Sequence, residues 1–153
     1  MYIMDSIIYE DTPRYDVYLK AIMVLPVFLI IMGIYYLFIA EAEAAIAMFA
    51  TTILMAAIYW AIFPRKYQIL DSKFKVVLGG PFSFNIPFSN LETAREPEGA
   101  TFGINFHTCF SSERVVQIIR KKGWYVNITP SDRALFLENL NKALADWRRN
   151  NLR

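Results

Sequence analysis

His107 and Cys109 are the only histidine and the only cysteine in the 153-residue chain, and they stand two positions apart. A thiolate nucleophile needs an imidazole within hydrogen-bond reach to take its proton. Two residues apart on a strand share a face, yet about 7 Å of backbone separates them, so the spacing does not suit that chemistry. A metal centre is no better served. Tetrahedral zinc takes three or four protein ligands, and no further ligand type stands at a recognisable spacing from these two. The plain reading is a half-buried core cysteine and a surface or hydrogen-bonded histidine. With a single cysteine there is no intrachain disulfide, which suits a reducing compartment.

The remaining candidates are cations. Arg65 and Lys66 follow directly on the most apolar part of the chain, Lys73 and Lys75 share a strand face, and Arg120, Lys121 and Lys122 cluster at a turn. Arg65, Lys66, Lys73 and Lys75 are the lipid-interface candidates, since each cation at an anionic leaflet contributes on the order of 1 kcal/mol. For Lys73 and Lys75 the alternative is an ordinary solvated strand face. Residues 1–63 carry two basic and six acidic groups, whereas 64–153 carry fourteen and eight, so the net charge of +2 conceals a basic C-terminal part. No basic helix, zinc-finger spacing or RNA-binding signature accompanies that charge, which argues against a nucleic-acid partner. Gly79 and Gly80 precede Pro81 rather than a helix and lack the spacing of a phosphate-binding loop. No cofactor, no catalytic residue and no small-molecule substrate is evident.

These residues must be positioned by two unlike parts. Ala21–Ala40 and Ala44–Phe63 are uncharged runs of 20 residues each, and at 1.5 Å per helical residue each spans about 30 Å, the thickness of a hydrocarbon core. Between them lie Glu41 and Glu43, and a carboxylate at mid-bilayer costs about 3 kcal/mol. The chain is therefore expected to turn there, giving a two-helix transmembrane hairpin over 20–63 after an N-terminal tail at 1–19. Ala40, Glu41 and Ala42 have the small-x-small form of a signal-peptidase site, but the preceding tail is acidic and a second full-length span follows. Lys and Arg flank the hairpin at Arg14 and Lys20 before it and at Arg65, Lys66, Lys73 and Lys75 after it and are missing from its turn, which predicts both termini on the cytoplasmic side of the cell membrane.

Residues 64–153 are expected to form one small cytoplasmic domain, near the lower end of what can bury its own core. Tyr67 and Ile69, then Phe74, Val76 and Leu78, alternate about the Asp71-Ser72 turn, and Phe82, Phe84, Ile86 and Phe88 follow on one face of a third strand. Leu91–Glu96 reads as a weaker strand. Thr101–Ser112 is compatible with strand, turn or short helix. Arg114–Lys121 and Trp124–Ile128 form a second hairpin, with Trp124, Val126 and Ile128 alternating. Thr129 then suits a helix N-cap with Pro130 at the first helical position, and Phe136, Leu140, Ala143 or Leu144, and Trp147 make one apolar stripe.

Tyr67-Gln68-Ile69, Gly79-Gly80-Pro81-Phe82, Ile86-Pro87-Phe88-Ser89-Asn90-Leu91, Ser111-Ser112-Glu113-Arg114-Val115-Val116 and Ile128-Thr129-Pro130-Ser131-Asp132 occur in an order that resembles the bacterial pleckstrin-homology-like domains. The chain is most similar to the YyaB-like group, in which two membrane helices precede such a domain, and the likeness runs from Arg14 to Leu144. Glu98–Phe110 departs from the pattern. The resemblance implies a membrane α-helical hairpin joined to a curled antiparallel β-barrel of about seven strands capped by a C-terminal α-helix, an α+β or all-β domain. It implies no activity, since the group carries no catalytic motif. In eukaryotic pleckstrin-homology domains, basic residues placed like Lys73 and Lys75 bind phosphoinositide headgroups. The function expected is a non-enzymatic integral membrane protein that presents the scaffold at the cytoplasmic face of the lipid bilayer to bind a protein partner, itself or the anionic lipid surface. The alternative is an oligomeric transport or channel accessory in which the β domain assembles or gates the helices.

Overall fold

The computed structural model describes residues 6–97, 99, 102–109 and 111–151. Helices α1 (Val17–Phe38) and α2 (Ala42–Ile62) are 22 and 21 residues long, enough to cross a membrane and apolar enough to do so. Within the pair only Gly33, Ala45 and Thr52 are buried, so these helices do not form the core of a globular domain; their outward faces are apolar all round. They pack closely where side chains are small: a Cβ on Gly33 would lie 2.8 Å from Phe49 Cε1. The hydroxyls of Thr51 and Thr52 donate back to the carbonyls of Ala47 and Met48 at 2.8 and 2.9 Å, which leaves neither polar group unsatisfied among apolar neighbours. The chain reverses at Ala40, whose φ is +61°. Glu41 and Glu43 stand at that end, away from the middle of either helix.

The hairpin is an insertion between two paired strands. Strand β1 (Ile7–Asp11) lies antiparallel to β2 (Lys66–Leu70), so part of the expected N-terminal tail is the edge strand of the β domain. Both ends of the hairpin consequently emerge on one side. The first sheet continues through β3 (Lys73–Val77) and β4 (Ser83–Pro87), in the order β1-β2-β3-β4 and antiparallel throughout.

The second sheet contains β5 (Leu91–Arg95), β6 (Ile104–Phe106), β7 (Val116–Arg120) and β8 (Val126–Ile128), ordered β5-β7-β8-β6. Here β6 runs parallel to β8. The structure thus has eight described strands in two four-stranded sheets that do not close, where the sequence led to an antiparallel barrel of about seven. Gly103 explains the entry of β6: its φ is +136° and a Cβ there would lie 2.3 Å from the Tyr125 carbonyl oxygen, so only glycine brings the chain close enough for Ile104 N to donate to that oxygen at 2.8 Å. The ambiguous stretch 98–112 is part strand, at β6, and part 3-10 turn, at Ser112–Arg114; its residues 98, 100, 101 and 110 lie outside the described residues.

Helix α3 (Arg133–Asn151) lays Phe136, Leu140, Ala143 and Leu144 against the sheets, as its apolar spacing indicates, and Trp147 packs at the margin. Phe136 is fully buried and meets Tyr9, Tyr67 and Phe74 edge-on at 6.2, 6.3 and 5.8 Å. The helix starts later than expected. Asp132 caps it, with Oδ1 accepting from Leu135 N at 3.0 Å. Thr129 is instead buried, because the segment before α1 occupies this stretch: Arg14 N donates to Thr129 O, and Ser131 N to Thr12 O, both at 3.0 Å.

Candidate functional site

Where the hairpin meets the sheets, the β3–β4 turn rests on the last turn of α2. A Cβ on Gly80, at φ +59°, would lie 2.2 Å from the Trp60 ring, and the Arg65 guanidinium lies 5.8 Å from the centre of that ring, a cation–π arrangement. Tyr15 closes the junction from the other side. Its hydroxyl donates to Pro64 O at 2.5 Å, its ring meets Phe63 at 6.1 Å, and burial raises its phenol above the ordinary value. Two hollows flank Tyr15. One, of about 340 Å³, is largely aromatic and includes Tyr59, Trp60 and Phe63; the other, of about 600 Å³, lies among Arg14, Asp16, Lys20 and Arg114.

The four lipid-interface candidates do not all converge. Arg65 is at the junction, its N–H donating to Val77 O at 2.7 Å. Lys66 is there too, but its Nζ lies 2.7 Å from Glu10 Oε1, while Gln68 Nε2 donates to Glu10 Oε2 at 2.7 Å. Those two bonds hold the Glu10 carboxyl below its ordinary value. Lys75 stands on the outer face of the first sheet, in register between Gln68 and Asn85, and Lys73 pairs with Pro87 at the end of β3 remote from Arg65. Arg14, Lys20 and Arg114 were not grouped from the sequence, because the last is about a hundred positions from the others.

His107 and Cys109 are not joined. The Cys109 thiol donates to Arg14 O at 2.9 Å, and burial raises its pKa, the reverse of what a thiolate nucleophile requires. His107 has a buried Nδ1 without a partner, and burial lowers its pKa. Among the described residues no three His, Cys, Asp or Glu side chains group as metal ligands would.

A second feature lies at the β7–β8 turn. Asn90, whose N–H donates to Pro87 O, holds the β7–β8 turn with its side chain: Oδ1 accepts from Lys122 N at 2.9 Å and Nδ2 donates to Lys122 O at 3.2 Å. Beside that turn Phe102, Trp124 and Tyr125 are 78, 71 and 42% exposed and line a shallow hollow of about 310 Å³. Alternation puts Trp124 on one strand face with Val126 and Ile128, which are buried where Trp124 is not. The strand begins only at Val126, since Gly123 at φ +95° turns the chain and Arg120 Nε bonds Trp124 O at 2.8 Å. Lys121 and Lys122 are exposed next to it.

No protein-family model, curated protein or solved structure matches this chain.

The arrangement is suited to holding and presenting surfaces. The aromatic hollow offers rigid apolar contact area of the kind enriched in interface cores, and the junction couples that domain to the helices without a linker.

Proposed function

We propose that this protein is a non-enzymatic scaffold of the cell membrane, anchored by α1 and α2 with both termini cytoplasmic, whose pleckstrin-homology-like domain docks an acidic protein partner through Phe102, Trp124 and Tyr125. The observation that carries the reading is the exposure of these three aromatic side chains together, beside Lys121 and Lys122 at the β7–β8 turn. Large exposed aromatic residues grouped in a hollow favour a partner, because leaving them in water forgoes about 25 cal/mol per Å² of apolar area. The neighbouring lysines select an acidic surface by steering and register. Membrane anchoring is supported by the two apolar helices, and a cytoplasmic domain by the cations that flank them. Two sheets with a C-terminal helix packed across them are compatible with a pleckstrin-homology-like domain.

A photo-crosslinking residue at position 124 tests this in native membranes. A discrete adduct that disappears when Lys121 and Lys122 are both changed to Glu is expected. An adduct of twice the chain's mass would replace the acidic partner with a second copy. No adduct, or one indifferent to the charge reversal, overturns the reading.

A further inference from the structure

We infer that the groove among Arg14, Lys20 and Arg114 binds the phosphate of an anionic membrane lipid. Three separate pieces of chain supply its cations: the segment after β1, the first turn of α1, and the 3-10 turn Ser112–Arg114. All three residues are exposed. Against them stands one carboxylate, Asp16, which leaves the groove positive. Its volume, about 600 Å³, accommodates a headgroup, and Arg can engage phosphate oxygens through two N–H groups at once.

The walls are fixed. Arg14 donates its N–H to Thr129 O at 3.0 Å, and its carbonyl accepts from Thr108 Oγ1 at 2.6 Å and from the Cys109 thiol at 2.9 Å. Asp16 N donates to Thr108 O at 3.0 Å. A site whose backbone is already held loses little freedom on binding.

Its level is set by α1. Val17 and Tyr18, the next residues along, begin the apolar helix and are 77 and 73% exposed. Lys20 lies within one helical turn, about 5 Å, of that start. The headgroup layers together thicken a bilayer from about 30 to about 40–45 Å, so a groove within one turn of the hydrocarbon boundary opens among headgroups. This inference rests on the membrane placement of the hairpin proposed above; it does not depend on the protein partner.

The full chain, reconstituted in vesicles of phosphatidylcholine with or without phosphatidylglycerol, provides the test. Native mass spectrometry after release into mild detergent should show phosphatidylglycerol retained over phosphatidylcholine. Retention should fall several-fold in Arg14→Gln/Arg114→Gln and not in the distant Lys142→Gln. Equal melting temperatures for all three chains in pure phosphatidylcholine would show that the double variant still folds. If the double variant does not fold, Lys20→Gln, placed on the lipid-facing helix, takes its place with the same expected fall. Inorganic phosphate added to the phosphatidylcholine sample should not raise the melting temperature; a rise matching that given by phosphatidylglycerol would make the ligand a soluble phosphate. No preference for the anionic lipid, or one unchanged in these variants, overturns the inference. Extraction of the chain from membranes by alkaline carbonate would instead defeat the membrane placement itself.

Discussion

A Cβ added to Gly79 would lie 1.5 Å from the carbonyl oxygen of Trp60. The backbone of the β3–β4 turn and that of the last turn of α2 are therefore in direct contact, with the half-exposed Trp60 ring lying against Gly80 and beside the Arg65 guanidinium. The β domain does not hang from the two helices; it is seated on them.

Gly79→Ala should unseat it, because the obstacle is backbone and cannot rotate away. A destabilisation on the order of 2 kcal/mol is expected for a clash of this kind. Trp60 should become more accessible to an aqueous quencher, and the Phe63–Lys66 connection more readily cut by protease. Unchanged quenching and cleavage in Gly79→Ala would show that the contact is not maintained in solution.

Residues 64–153 alone should not form a stable domain. They lack β1, and with it the ring of Tyr9 beside Phe136 and the Asp11 carboxylate, which accepts from Ser131 Oγ and from Asp132 N. The bare edge of β2 also invites pairing between chains. Joining residues 6–14 to 65–151 through a short Gly-rich loop should restore a monomeric folded domain, judged by circular dichroism and size-exclusion chromatography. A monomeric, cooperatively melting 64–153 fragment would contradict this.

Glu10 makes the pairing of β1 with β2 sensitive to acid. Lys66 first, then Gln68, depresses its folded-state pKa from an ordinary value of 4.5. The unfolded chain takes up the proton first, so the stabilisation is present above about pH 4.5 and is lost as pH falls through the lower folded value. Side chains about a third and a half exposed limit the effect to at most about 1 kcal/mol. Glu10→Gln should remove this dependence, read as a flatter profile of unfolding free energy against pH below that point.

Phe136→Ala should be the most damaging single truncation in the domain. Its ring touches aromatic side chains of β1, β2 and β3, and a deleted buried phenyl group costs about 3–5 kcal/mol. Asp132→Ala removes only the helix cap and should cost about 1 kcal/mol. Thermal melts in detergent will rank the two; near-equal losses would mean that α3 is not the element that closes the core.

The two long apolar helices, the hairpin of β2 and β3 and the buried stripe of α3 could be read from residue order alone. Each depends on a local property: an apolar run as long as a bilayer is thick, alternation about Asp71-Ser72, or the spacing of Phe136 and Leu140. Contacts between distant stretches decided the rest. Ile7–Asp11 is a strand because β2, beyond 43 residues of α1 and α2, offers it an edge. Thr129 lost the capping role to Asp132 because Arg14 and Thr108 claimed its backbone and hydroxyl. Trp124 parted from the buried face of Val126 and Ile128, and Arg114 joined Arg14, for the same reason: periodicity records which face a residue takes on its own element, whereas the partner across that face is chosen by the folded chain as a whole.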